Sequence, residues 1–238
     1  MSSKRIVGAL LLLVIGAGMG LGVAAMVGDD DDEPTGADLP VETTTTVERP
    51  DESQNPEAAE LYDLVTAFTG LTLHASYRVE VADRPEATST IEIWQKEGQV
   101  RQEATVEAGA GAGGKIALLD LVDRVVLCQQ PPGGDYSCGL VSEEEATAFD
   151  SLRTNLIADL ADQDVEVRND TIDGREVRCF SIAVAEASEI CVSDEGVLTR
   201  IASPEGSFEL IEFDTEVDDD VFTPPATPGT AAVPAPAS

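Results

Sequence analysis

From Leu71 to Asp83 the chain reads LTLHASYRVEVAD. Leu71, Leu73, Ala75, Tyr77, Val79 and Val81 are apolar, and Thr72, His74, Ser76, Arg78 and Glu80 are polar. An alternation with period two fits a β-strand with one face buried and the other wet. The period recurs in STIEIWQK, QVRQEATVEA, KIALLDLV and RVVLC, and later in DVEVRNDTI, REVRCFSIAV, SEICVS, GVLTRIAS and SFELIEFDTEV. Turns rich in Gly or Asp separate these runs, so about ten antiparallel strands are expected.

Two stretches break the period. Asn55 can cap a helix that begins at Pro56, carries Leu61, Leu64, Val65 and Phe68 at i, i+3, i+4 and i+7, and ends at Gly70. Ser142 to Glu145, SEEE, is a capping box, followed by an apolar stripe of Phe149, Leu152, Leu156, Ile157 and Leu160. The expected class is therefore α+β, a curved antiparallel sheet covered by two helices. Two helices are few for so long a sheet. Either it curls around side chains that fill it, or it leaves an apolar hollow for a ligand. The same alternation serves both.

The ends of the chain are of another kind. Lys4 and Arg5 precede an uncharged apolar run from Ile6 to Gly28, and Asp29 to Glu33 follow at once. Those 23 residues would span about 35 Å as a helix, enough to cross a bilayer. A cleaved signal peptide has a shorter apolar region, so residues 1–28 read as a cytoplasmic n-region and retained membrane anchor. The alternative is a signal peptide cut near Val23 to Ala25, which would release the chain. The flanking charges put the N-terminus in the cytoplasm and the rest outside. Residues 29–55, rich in acid, Pro and Thr, read as a disordered stalk, and 223–238 as a disordered Pro/Ala tail. One ordered domain, 56–222, remains.

Forty-six acidic residues against 14 basic ones give a formal charge of −32. A surface of that sign repels nucleic acid and anionic headgroups, so nucleic acid is excluded as a partner. Cys128, Cys138, Cys179 and Cys191 all follow the apolar run, and no C-x-x-C spacing for zinc occurs. Three pairings are open in principle. Each close pair brackets turn residues, so two hairpin bridges, Cys128–Cys138 and Cys179–Cys191, are expected in an oxidising compartment.

EAGAGAGGKIALLD, Glu107 to Asp120, fits a phosphate-binding loop at seven of eight positions. The eighth must be a hydroxyl that ligates Mg²⁺, and here it is Ile116. The β-branched run beyond it also lacks a helix cap. A turn rich in small residues is the better reading. No cofactor and no metal site is expected, because the aspartate runs lack the spacing and central glycine of a calcium loop. His74, the single histidine, has no nucleophile arrangement around it. The sequence does not read as an enzyme.

The order helix, strands, helix, strands resembles the LolA-like lipoprotein carriers, in particular the LppX/LprG-type envelope proteins of actinobacteria. YRVEV, IEIWQKEGQVRQE, DGREVRCF and the closing Phe222-Thr223-Pro224-Pro225 carry the resemblance, which covers most of residues 56–226 in layout. It implies a half-barrel lidded by helices whose cavity binds a lipid or another amphiphile. Such a pocket would be lined by Leu73, Tyr77, Val79, Ile91, Ile93, Val100, Val106, Ile116 and Leu118, with Phe149 and Leu156 from the second helix. The lipidated cysteine of the LppX/LprG type is missing, and, unlike the soluble carriers, the domain is expected to be tethered by its apolar run. A tether suits the RseB-like envelope sensors, which resemble these half-barrels, and makes an envelope protein the alternative partner. Trp94 falls on the face opposite Ile91 and Ile93.

Overall fold

The computed structural model describes residues 49–82, 84–106, 114–141, 164–182, 188–204 and 206–229. The expected anchor, residues 29–48 of the stalk, most of the glycine-rich stretch and the second expected helix with Phe149 and Leu156 lie outside the described residues. Among those described, no helix is long and apolar enough to cross a membrane.

Among the described residues one α-helix, α1 (Pro56–Thr69), leads into eleven strands. These are β1 (Leu73–Val81), β2 (Arg84–Lys96), β3 (Gln99–Val106), β4 (Gly114–Leu121), β5 (Arg124–Gln130), β6 (Ser137–Leu140), β7 (Val165–Ile172), β8 (Arg175–Ile182), β9 (Ser188–Ser193), β10 (Leu198–Ser203) and β11 (Gly206–Asp214). A 3₁₀ turn, Asp219–Phe222, follows. The count exceeds the expected ten by β6, whose four residues are too short to alternate visibly.

All eleven strands form one open sheet in the order β6-β5-β4-β3-β2-β1-β11-β10-β9-β8-β7. Every ladder is antiparallel. Two up-and-down halves are thus joined where β1 pairs with β11, and β6 and β7, neighbours in sequence, stand at opposite edges. Tight turns set the registers. Glu97-Gly98 and Asp173-Gly174 carry φ of 52°, 78°, 49° and 79°, and a two-residue turn with both φ positive has the twist that matches paired strands.

Asn55 caps α1 as expected, its side chain accepting from the Ala58 amide at 3.1 Å. Leu61 of the helix is buried with Phe180, Ile182, Ile190 and Val192 from β8 and β9, flanked by Leu64 and Val65. Gln95 on β2 donates to the Phe68 carbonyl and ties down the helix end. Ahead of the helix, Arg49 grips Asp63 with two hydrogen bonds, at 2.8 and 2.6 Å. We call the side of the sheet that carries α1 the inner face, and the other the outer face.

Both disulfides form as expected, Cys128–Cys138 between β5 and β6 and Cys179–Cys191 between β8 and β9. Each joins residues directly opposite in register on the outer face, with Cα atoms 4.1 and 4.0 Å apart. That short separation is typical of a pair that exchanges no backbone hydrogen bonds, where side chains come closest.

Candidate functional site

The registers place Leu73, Tyr77, Val79, Ile91, Ile93, Val100, Val106, Ile116 and Leu118 together on the inner face. They do not share one environment. Leu73, Tyr77, Val79, Ile91 and Ile93 are buried in a cluster with Val197, Ile201, Phe208 and Leu210. Tyr77 stacks on Phe208 at 4.0 Å between centroids and donates its hydroxyl to the Leu198 carbonyl at 3.1 Å. Burial pushes its phenol well above the usual range. Each such side chain contributes about 1.5–3 kcal/mol by leaving water. The centre of the expected pocket is packed with its own residues.

Towards β5 the inner face changes. Val100, Ile116 and Leu118 are half-buried, as are Val125 and Leu127 of β5, and Leu127 stands opposite Leu118. Phe149 and Leu156, expected to line the same pocket, lie outside the described residues, as does the side chain of Val106.

The alternation marked the outer face only as polar. Across it, from β11 to β6, one row runs Asp214, His74, Trp94, Arg101, Leu119, Val126 and Leu140. The next runs Glu212, Ser76, Glu92, Glu103, Ala117, Cys128 and Cys138. Trp94 lies between His74, stacked at 4.8 Å, and the Arg101 guanidinium at 5.2 Å. Glu92 accepts from Ser76 at 2.9 Å and meets His74 Nε2 at 2.6 Å. Serine and histidine thus both face the carboxylate and not each other, which is no arrangement for activating a nucleophile.

Glu103 is the buried charge of this face. Arg101 reaches it at 2.5 Å and Lys115 at 2.8 Å. Burial alone would raise its pKa, but hydrogen bonds from Lys115 and Arg101 outweigh that and hold it below the usual carboxylate range. The Glu103 hydrogen bond raises Lys115 in turn, and burial raises Tyr136 beside them. Lys115, the lysine of the phosphate-loop pattern, is therefore committed to a carboxylate, and Gly114 to Ile116 lie in a strand. The candidate metal group Cys179, Glu189 and Cys191 has both sulfurs in a disulfide.

Residues 217–229, which include the 3₁₀ turn Asp219–Phe222, cross this face from β2 to β6. Lys96 donates to the Val217 carbonyl at 3.0 Å and pairs with Asp219 at 2.6 Å. Arg101 donates to the Val221 carbonyl at 2.8 Å. Phe222 is buried, and Ala226 packs on the cluster of Ala117, Leu119, Val126 and the Cys128–Cys138 bridge. The Gly229 amide donates to the Cys138 carbonyl at 2.9 Å and begins a parallel bridge to β6. Thr223 to Gly229, expected as the start of a tail, thus lie against the sheet.

No protein-family model matches the chain, and no curated protein matches it in sequence. Among solved structures it is similar to MucB in complex with MucA(peri), at 15% identity and a TM-score of 0.43, over 66% of this chain and 55% of that one. It is also similar to PNGF-II, at 10% identity and a TM-score of 0.34, over 68% of this chain and 32% of that one. The chain thus spans about half the length of MucB and a third of PNGF-II. At these scores neither likeness carries a functional argument.

Proposed function

We propose that the chain is a membrane-tethered extracytoplasmic domain that works by binding a protein partner, with a filled sheet as its scaffold and no catalytic role. One observation carries this reading: Leu73, Tyr77, Val79, Ile91 and Ile93, five of the eleven residues expected to line a lipid cavity, are buried in one cluster with Phe208. A sheet packed in this way offers its surfaces to a partner. Two disulfides suit an oxidising compartment, and the apolar run from Ile6 supplies the tether.

The test is a fluorescent fatty-acid displacement titration on the oxidised chain from Asp29 onward, beside photo-crosslinking from position 94 in the native envelope. The expected results are no saturable lipid binding and one discrete protein adduct, absent when the crosslinker is moved to exposed position 66 on α1. Saturable lipid binding by the folded chain would overturn the reading.

A second reading, the binding of an amphiphile, is favoured by the half-buried strip of Val100, Ile116, Leu118, Val125 and Leu127. In that case Leu118→Trp would abolish fatty-acid binding while Val79→Trp would disturb folding instead.

A further inference from the structure

We infer that the outer face of β2–β6 is a docking groove for a linear segment of a partner protein, acidic at first, then bearing one aromatic residue followed by prolines, and that residues 217–229 hold the groove in cis until that segment displaces them. This rests on the interaction-domain reading and gives it a surface.

The contacts that seat residues 217–229 are addressed mainly to the main chain. Lys96 and Arg101 donate to the carbonyls of Val217 and Val221, and the Cys138 carbonyl accepts from the Gly229 amide. A peptide that makes the same single turn as Asp219–Phe222 presents the same groups at the same spacing, so the groove does not depend on one covalent connection. Specificity comes from three places: Lys96 on Asp219, a buried position for Phe222, and the shallow apolar floor under Ala226.

Charge points to the same class of partner. Elsewhere on the outer face Arg168 is taken by Asp170 and Glu189, and Arg200 by Glu189 and Glu209. In the groove Arg101 and Lys115 share Glu103, which leaves Lys96, paired with Asp219, as the basic group that meets the occupant and favours an acidic residue at that position.

The resident segment is also lightly held. Among the described residues of 217–229, Phe222 is the one buried large side chain, and the one β contact is the Gly139–Gly229 bridge. Segments with few buried contacts open at a small fraction of the global cost. Being covalently attached, residues 217–229 compete at an effective concentration of the order of millimolar, which sets how tightly a partner must bind.

The probe is a fluorescein-labelled peptide of residues 215–229, TEVDDDVFTPPATPG, titrated against the full chain with a protease site placed between Thr215 and Glu216. Before cleavage, binding should be weak. After cleavage and washing, saturable binding at least tenfold tighter is expected. A peptide with Phe222→Ala, or one with Asp218, Asp219 and Asp220 all changed to Asn, should lose that gain. A freed segment that excess peptide cannot exchange, or equal binding by all three peptides, overturns the proposal.

If cleavage unfolds the chain, the intact double variant Asp219→Lys/Phe222→Ala serves instead. It leaves residues 217–229 attached but loosened, and no gain in peptide binding over the unmodified chain overturns the proposal as well. A concentration-dependent dimer with exchanged segments would assign the occupant to a second copy and overturn the assignment to a different protein. Failure here with no lipid binding in the displacement titration would leave the interaction-domain reading intact and move its surface elsewhere.

Discussion

Arg101 on β3 donates to the carbonyl of Val221, 120 residues later, at 2.8 Å. Its other terminal nitrogen holds Glu103 and its plane covers Trp94, so a single guanidinium links the segment crossing the sheet, the buried carboxylate and the one tryptophan. Arginine suits this position because its fork presents donors in more than one direction without losing charge.

Arg101→Gln should therefore do two things at once. It leaves Glu103 with Lys115 alone and removes the anchor at Val221, at a cost of about 1.5–3 kcal/mol for a charged hydrogen-bond network of this burial. Urea denaturation should show the loss, and amide exchange should quicken in residues 217–229 while β8 and β9 keep their protection. Unchanged exchange in that segment would mean that Arg101 does not seat it.

Glu103 sets a pH dependence whose sign follows from its lowered pKa. The folded protein holds the carboxylate below its unfolded value of about 4.3, so its stabilisation is complete above that value and is lost as pH falls through the folded value. Glu103→Gln should be less stable than the unmodified chain at pH 7, and the gap should narrow as pH falls below the unfolded value of about 4.3. A gap that stays constant with pH would show that the cost lies in packing and not in ionisation.

Each disulfide closes a short loop, with sequence separations of 10 and 12. Paired Cys→Ser replacement of either bridge should cost about 3 kcal/mol in the chain-entropy estimate. Because the Cys128–Cys138 bridge forms part of the floor under Ala226, its loss alone should also raise proteolysis near residues 223–229. Equal proteolysis in the two double variants would contradict that placement.

Tyr77 and Phe208 separate packing from hydrogen bonding at the centre of the inner face. Tyr77→Phe leaves the stack and removes the bond to the Leu198 carbonyl, for about 1 kcal/mol. Phe208→Ala opens a cavity and should cost about 3–5 kcal/mol. Thermal unfolding of the two variants checks the order. A Phe208→Ala variant of near-native stability would mean that the centre is not tightly packed.

Alternation and turn chemistry together determined most of the sheet from the sequence alone. Period two fixed which of Leu73, Tyr77, Val79, Ile91 and Ile93 share a face, because a slip of one residue would turn that whole set towards water. Asn55-Pro56 announced α1, stretches rich in Gly or Asp announced the turns between strands, and the spacing of the cysteines announced both bridges. These signals are local, carried by residues a few positions apart. What alternation cannot express is depth. Tyr77 and Leu118 obey the same rule, yet one is sealed by Phe208 and the other is half-buried, and only the order of strands across the sheet separates them. Glu103 read as a wet position on β3 and is buried, because Arg101 beside it, Lys115 on the next strand and residues 217–229 from the far end of the chain meet over it. That meeting depends on contacts more than a hundred residues apart, and no short window of sequence contains it.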